Sequence, residues 1–114
     1  MCKKSGRIRI FHSTIVELEN PQYIRFLLNL EKKALAIQSC RKNIPESFRV
    51  PQYDPERWDF VVHSISVLRM IWRTCGWEDD KTYRMDGIYY AEHRLVEFDL
   101  NQAEIISFDK IENM

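Results

Sequence analysis

Lys3, Lys4, Arg7 and Arg9 cluster near the start of the sequence, around the stretch Arg7-Ile8-Arg9-Ile10-Phe11. Charged and apolar residues alternate there with the period of a half-buried strand. Ile8 and Ile10 share one face, Arg7 and Arg9 the other. A strand or ribbon that displays arginines outward can enter a DNA groove. Lysines on the arm before it add phosphate contacts, and with them an affinity that falls as salt rises. The same alternation also protects an edge strand from aggregation, so a purely structural role stands beside the functional one.

The other reactive side chains are dispersed. His12, His63 and His93 form no pair four apart, and Gly6, Gly76 and Gly87 form no phosphate loop. Cys2, Cys40 and Cys75 are odd in number and widely spaced, which suits neither a disulfide framework nor a zinc site. They read as reduced thiols, Cys40 and Cys75 half or fully buried as small hydrophobes. A nucleophilic pair such as Cys40 or Cys75 with His63 requires spatial adjacency. His63 reads more simply as a partly buried structural residue beside a helix stripe. Glu78-Asp79-Asp80 could hold a divalent cation, but a solvated acidic turn is the commoner use of such a run. Asp86, Glu92 and Glu97 have no spacing that pairs carboxylates for acid–base work. The expectation is a protein that is not an enzyme and uses no cofactor and no metal. Of the consecutive Tyr89 and Tyr90, one should be exposed, where it could stack on a base.

The chain has 114 residues, enough for one domain with a single modest core. Its net charge is zero, but the halves differ. Residues 1–50 hold ten Lys/Arg against four Asp/Glu, a balance of +6, and residues 51–114 hold seven against thirteen, a balance of −6. Such asymmetry suits a polyanion-binding face, or two halves that match charges within or between subunits. No apolar run approaches the roughly 20 residues that span a bilayer, so no membrane partner is expected. No apolar signal core follows the basic start, which points to a cytoplasmic protein.

The elements that would position these groups follow from local patterns. A short helical turn runs through Ile15, Val16 and Leu18, with Ser13 or Thr14 as cap, and stops at Asn20-Pro21. Residues 23–29 and 34–39 form a hairpin around Leu30-Glu31-Lys32-Lys33, although Leu, Glu, Lys and Ala would also suit a helix over 22–38. Phe48-Arg49-Val50 is a short strand. Asp54-Pro55-Glu56 opens a helix over 55–75, with a stripe of Trp58, Val61, Val62, Ile65, Leu68, Ile71, Trp72 and Cys75, and Gly76 as the stop. Residues 81–85, 88–91 and 94–98 are strands, Glu92-His93 a turn, and 102–106 a short helix begun by Asp99-Leu100-Asn101. The fold class is α+β: an antiparallel sheet with one long amphipathic helix, about 55–75, packed on it. Residues 1–114 form a single domain, with a basic β-rich half (1–50) and an acidic helix-plus-hairpin half (54–114).

The succession SGRIRI, STIVEL, ENP, YIRFLL and ALAIQ over residues 5–39 resembles the AbrB/SpoVT-type swapped-hairpin DNA-binding module. In that family a Gly-Arg-Ile-x-Ile-like strand is followed by a short helix, a turn and a hairpin. This chain departs from the pattern at Phe11-His12-Ser13, where the family has a proline, and at Asn20-Pro21-Gln22, where it has Gly-Asp. The resemblance implies an intertwined homodimer and a transcription regulator that binds double-stranded DNA. Arg7 and Arg9 match the basic first-strand positions, with Lys4 just before them. Arg25 would start the second hairpin strand. The nucleic-acid-binding set expected from charge and resemblance together is Lys3, Lys4, Arg7, Arg9 and Arg25. The alternative is an interaction or accessory module whose oppositely charged halves drive homo-oligomerisation or bind a protein partner.

Overall fold

The computed structural model describes residues 1–3, 5–41, 44–50 and 60–106, and the backbone alone of Phe60. Among the described residues, nine strands and two α-helices follow in the order β1 (Arg7–Ile10), α1 (His12–Glu17), β2 (Tyr23–Asn29), β3 (Ala34–Cys40), β4 (Phe48–Arg49), β5 (Phe60–His63), α2 (Ile65–Cys75), β6 (Thr82–Arg84), β7 (Gly87–Tyr90), β8 (Leu95–Asp99) and β9 (Glu104–Ile106). Single 3₁₀ turns at Ala91–His93 and Leu100–Gln102 flank β8. The fold is α+β with antiparallel pairing throughout and one helix longer than two turns packed on sheet, as expected.

Five strands form one sheet in the order β4-β2-β3-β8-β7. Its centre is the β2–β3 hairpin, in full register from Tyr23↔Cys40 to Asn29↔Ala34. The hairpin prevails over the helix because Ile24, Leu35 and Ile37 are buried on one face at strand spacing. Its loop contains no glycine. Lys33 takes the left-handed conformation instead (φ 54°), and its carbonyl accepts from the Leu100 N–H at 2.9 Å. The Asn29 side chain accepts the Lys32 N–H at 3.0 Å, closing the turn from within. β3 then pairs with β8, so the sheet joins strands from the basic and acidic halves.

A second layer contains β1 paired with β5 and β6 paired with β9. Cys2 bridges the two pairs, opposite Arg7 on one side and Thr82 on the other. The core between the layers takes Ile8 and Ile10 from β1, Ile24 from β2, Val96 from β8, and Leu68, Ile71 and Trp72 from α2.

Three local readings change. The long helix begins at Ile65, and 60–63 is strand. Val61, Val62 and Ile65 fit a helical stripe by spacing. However, Val61 and Val62 are β-branched, and only Val62 is buried while Val61 and His63 are exposed, an alternation of period two. Asp54, Pro55, Glu56 and Trp58, the expected start of that helix, lie outside the described residues. His63 is therefore an exposed strand residue rather than a half-buried helical one. Residues 104–106 form β9 rather than a helix. The Asp99 carboxylate does cap the turn ahead of it, accepting the Asn101 N–H at 2.9 Å. In α1 the capping position is Phe11, without a side-chain bond, and Thr14 is buried within the helix. The chain leaves that helix through left-handed Glu19 and Asn20 (φ 62° and 51°).

Candidate nucleic-acid interface

β1 keeps Ile8 and Ile10 in the core at 3% and 2% exposure and turns Arg7 and Arg9 outward. Pairing with β5 places His63 beside Arg7 and Val61 beside Arg9 on that outer face. The Cys2 bridge extends the face to β6, where Thr82 and, two residues on, Arg84 point the same way. One outer surface thus gathers Arg7, Arg9, His63 and Arg84, and neither β1 nor β5 carries a carboxylate. Among the described residues, Asp86 lies 3.6 Å from Arg84 in an exposed pair, and Glu104 is opposite Arg84 on β9. Arg84 was not among the expected residues. Its sequence neighbourhood is acidic, and only the Cys2 bridge brings it beside β1.

The other expected cations are placed differently. Lys3 donates to the Asp79 carboxylate at 2.9 Å, a bond between the basic and acidic halves. No group of three His, Cys, Asp or Glu that could hold a metal ion converges among the described residues. Lys4 lies outside the described residues. Arg25 sits on β2, in the other sheet, and donates through Nε and Nη2 to the Gln38 side-chain oxygen at 2.9 and 2.7 Å. Gln38 in turn donates to the His93 carbonyl at 2.8 Å. The structure therefore brings Arg7 and Arg9 together and does not bring Arg25 to them. Tyr90, the exposed member of the tyrosine pair, also lies on the five-stranded sheet, away from the arginine strand.

Cys40 and Cys75 lie elsewhere, on β3 and α2. Burial pushes the Cys40 thiol above its ordinary value, against the opposing pull of Arg25. Burial does the same to Cys75, against the pull of Lys33. A raised thiol holds less of the nucleophilic thiolate at neutral pH. The shallow depression beside Cys40 contains His93 and Glu92 in its wall, and His63 is on the separate β1–β5 pair.

No helix among the described residues is long and apolar enough to cross a membrane. No known family model, no curated protein and no solved structure matches the chain.

Proposed function

We propose that this protein is a non-enzymatic regulator that binds double-stranded DNA through the outer face of the β1–β5 ribbon. The observation that carries the reading is the set Arg7, Arg9, His63 and Arg84 on one face of a two-stranded ribbon and the strand beside it. A ribbon is narrow enough for the major groove, about 12 Å wide, and arginines there reach phosphates and base edges. The resemblance of residues 5–39 to the AbrB/SpoVT-type module supports the same reading.

The test is anisotropy of a labelled mixed-sequence duplex at low and near-physiological salt. The expected result is salt-sensitive binding that the Arg7→Ala/Arg9→Ala double variant weakens about tenfold or more. The salt slope should shrink by about 2, close to 0.9 per lost phosphate contact. Arg25→Ala, on the other sheet, should leave the affinity within about threefold. Absence of binding at low salt would end the proposal.

A second reading, self-association, rests on the outer face of the five-stranded sheet. Leu27, Ile88 and Tyr90 are 36%, 63% and 42% exposed there. The register puts Arg25 and Tyr90 in one cross-strand row and Leu27, Glu97 and Ile88 in the next. A two-fold axis between the rows would set Arg25 and Glu97 of two copies against each other around an apolar centre. β7 is also an edge strand of this sheet. Light scattering after size exclusion should then give a dimer that Ile88→Asp converts to monomer. A wild-type monomer at high micromolar concentration would remove this reading and leave the DNA proposal standing.

A further inference from the structure

The outer face of the β1–β5 ribbon is not uniformly cationic. Burial alternates without a break from Arg7 to Phe11: Arg7, Arg9 and Phe11 are exposed, Ile8 and Ile10 buried. The Phe11 backbone is extended, φ −68° and ψ 150°, so Phe11 continues the outward row before α1 begins. On β5, Val61 stands opposite Arg9 and His63 opposite Arg7. Phe11 and Val61 are each 38% exposed. Residues directly opposite on paired strands share a face about 5 Å apart, and residues two apart along a strand are about 7 Å apart. An apolar pair therefore flanks Arg9, with the row of Arg7 and His63 next to it.

Apolar side chains have no use on a face that meets phosphate alone. Phosphate oxygens accept hydrogen bonds, and the side chains of Val61 and Phe11 have no donor to give. Edge protection does not account for Val61 either, because a charged residue serves that purpose better. Among the described residues β5 pairs with β1 and with no other strand, so Val61 is on an edge. The major groove shows one apolar group, the C5-methyl of thymine, among its donors and acceptors. Successive bases lie 3.4 Å apart along the duplex. Side chains about 5–7 Å apart thus meet bases one or two steps apart.

We propose that Val61 and Phe11 contact thymine methyl groups in the major groove and so set which base pairs the ribbon prefers. This specificity rests on the DNA reading and adds what cations on phosphate do not supply, since phosphate contacts carry no sequence information. Both side chains can be replaced without removing a buried group. Phe11 serves α1 through its carbonyl, which accepts the Thr14 N–H at 3.0 Å. As the residue before that helix it makes no side-chain cap, a bond that serine at the same position is suited to make.

The experiment titrates the full chain against two labelled duplexes of alternating adenine and thymine, identical except that uracil replaces every thymine in one. Phosphates and hydrogen-bonding edges are the same in both, and the second lacks the C5-methyl groups. Anisotropy at low salt should show the thymine duplex bound more tightly, by about fourfold for each methyl buried. Val61→Ser/Phe11→Ser should bind the two duplexes equally. Its salt slope should match the wild type, because no cation is removed. Each single variant should retain part of the preference, which keeps the assignment testable if the double variant folds poorly. Equal affinity of the wild-type chain for the two duplexes would overturn this inference and leave the DNA reading standing. Binding of neither duplex would overturn both. A full preference in variants whose urea midpoint is unchanged would belong to the shape of the duplex, and would overturn the inference as well.

Discussion

Leu68→Ala is expected to destabilise the protein by about 2–5 kcal/mol, the range for truncating a buried leucine that leaves a partly relaxed cavity. Leu68 is fully buried, as is Ile71 one turn along, and Trp72 beside them is 2% exposed. These three side chains are what α2 contributes to the core that also holds Ile8, Ile10, Ile24 and Val96. The neighbourhood resists collapse. Trp72 is fixed by its indole N–H donating to the Glu78 carbonyl at 3.0 Å and by its edge-on contact with Tyr83 at 5.5 Å. Against a total stability of about 5–15 kcal/mol for a domain, such a loss is a large fraction. Urea denaturation should show the midpoint falling by roughly 1–2 M with little change in slope. Met70→Ala, on the same helix but 46% exposed, is the control and should cost under about 1 kcal/mol. Equal effects at the two positions would mean that α2 does not seal the core.

Gly87→Ala is expected to cost about 1–3 kcal/mol, although the substitution adds a single methyl group. A Cβ at Gly87 would stand 2.4 Å from Val96 Cγ1 and 2.7 Å from Phe98 Cε1. Val96 is 1% exposed and β-branched, so it has no second rotamer at low cost. Phe98 is the direct cross-strand partner of Gly87. The strain must therefore open the β7–β8 pairing or displace the core behind it. The reduced freedom of the unfolded chain returns about 0.4–1 kcal/mol, too little to offset this. Gly76→Ala is the informative comparison. Gly76 ends α2 at φ 65° with open space around it, so only backbone strain of about 1 kcal/mol opposes a side chain there. A double-mutant cycle of Gly87→Ala with Val96→Ala should show a total cost below the sum of the single costs. Simple additivity would mean that the two positions do not meet.

Local signals carried much of the architecture because each involves residues within a few positions. Alternation over Arg7–Ile10 reports which side faces the core, since the strand period is two wherever one face is buried. Gly76 marks the end of α2 through a left-handed requirement that any folded context would share. Spacing alone assigns the 60–63 segment to the helix, whereas it is strand, for an equally local reason. Four residues cannot separate a period of 3.6 from a period of two, and the deciding event is pairing of Val61 and Val62 with Arg9 and Ile8, more than fifty positions away. The turn at Lys33 was open for the complementary reason. Its left-handed backbone is held by the distant Leu100, which no hairpin rule sees.

For the candidate interface, the amino-acid sequence by itself determined the outward pair Arg7 and Arg9, the opposite charge of the two halves, and the lack of nearby acids on the first strand. Tertiary structure decided which other cations join them. It set Arg84 beside β1 through Cys2, placed Arg25 on the other sheet against Gln38, and used Lys3 to bind Asp79. Strand alternation is set by bond geometry along the chain. Company between side chains is set by which strands pair, a choice made by the burial of the core as a whole.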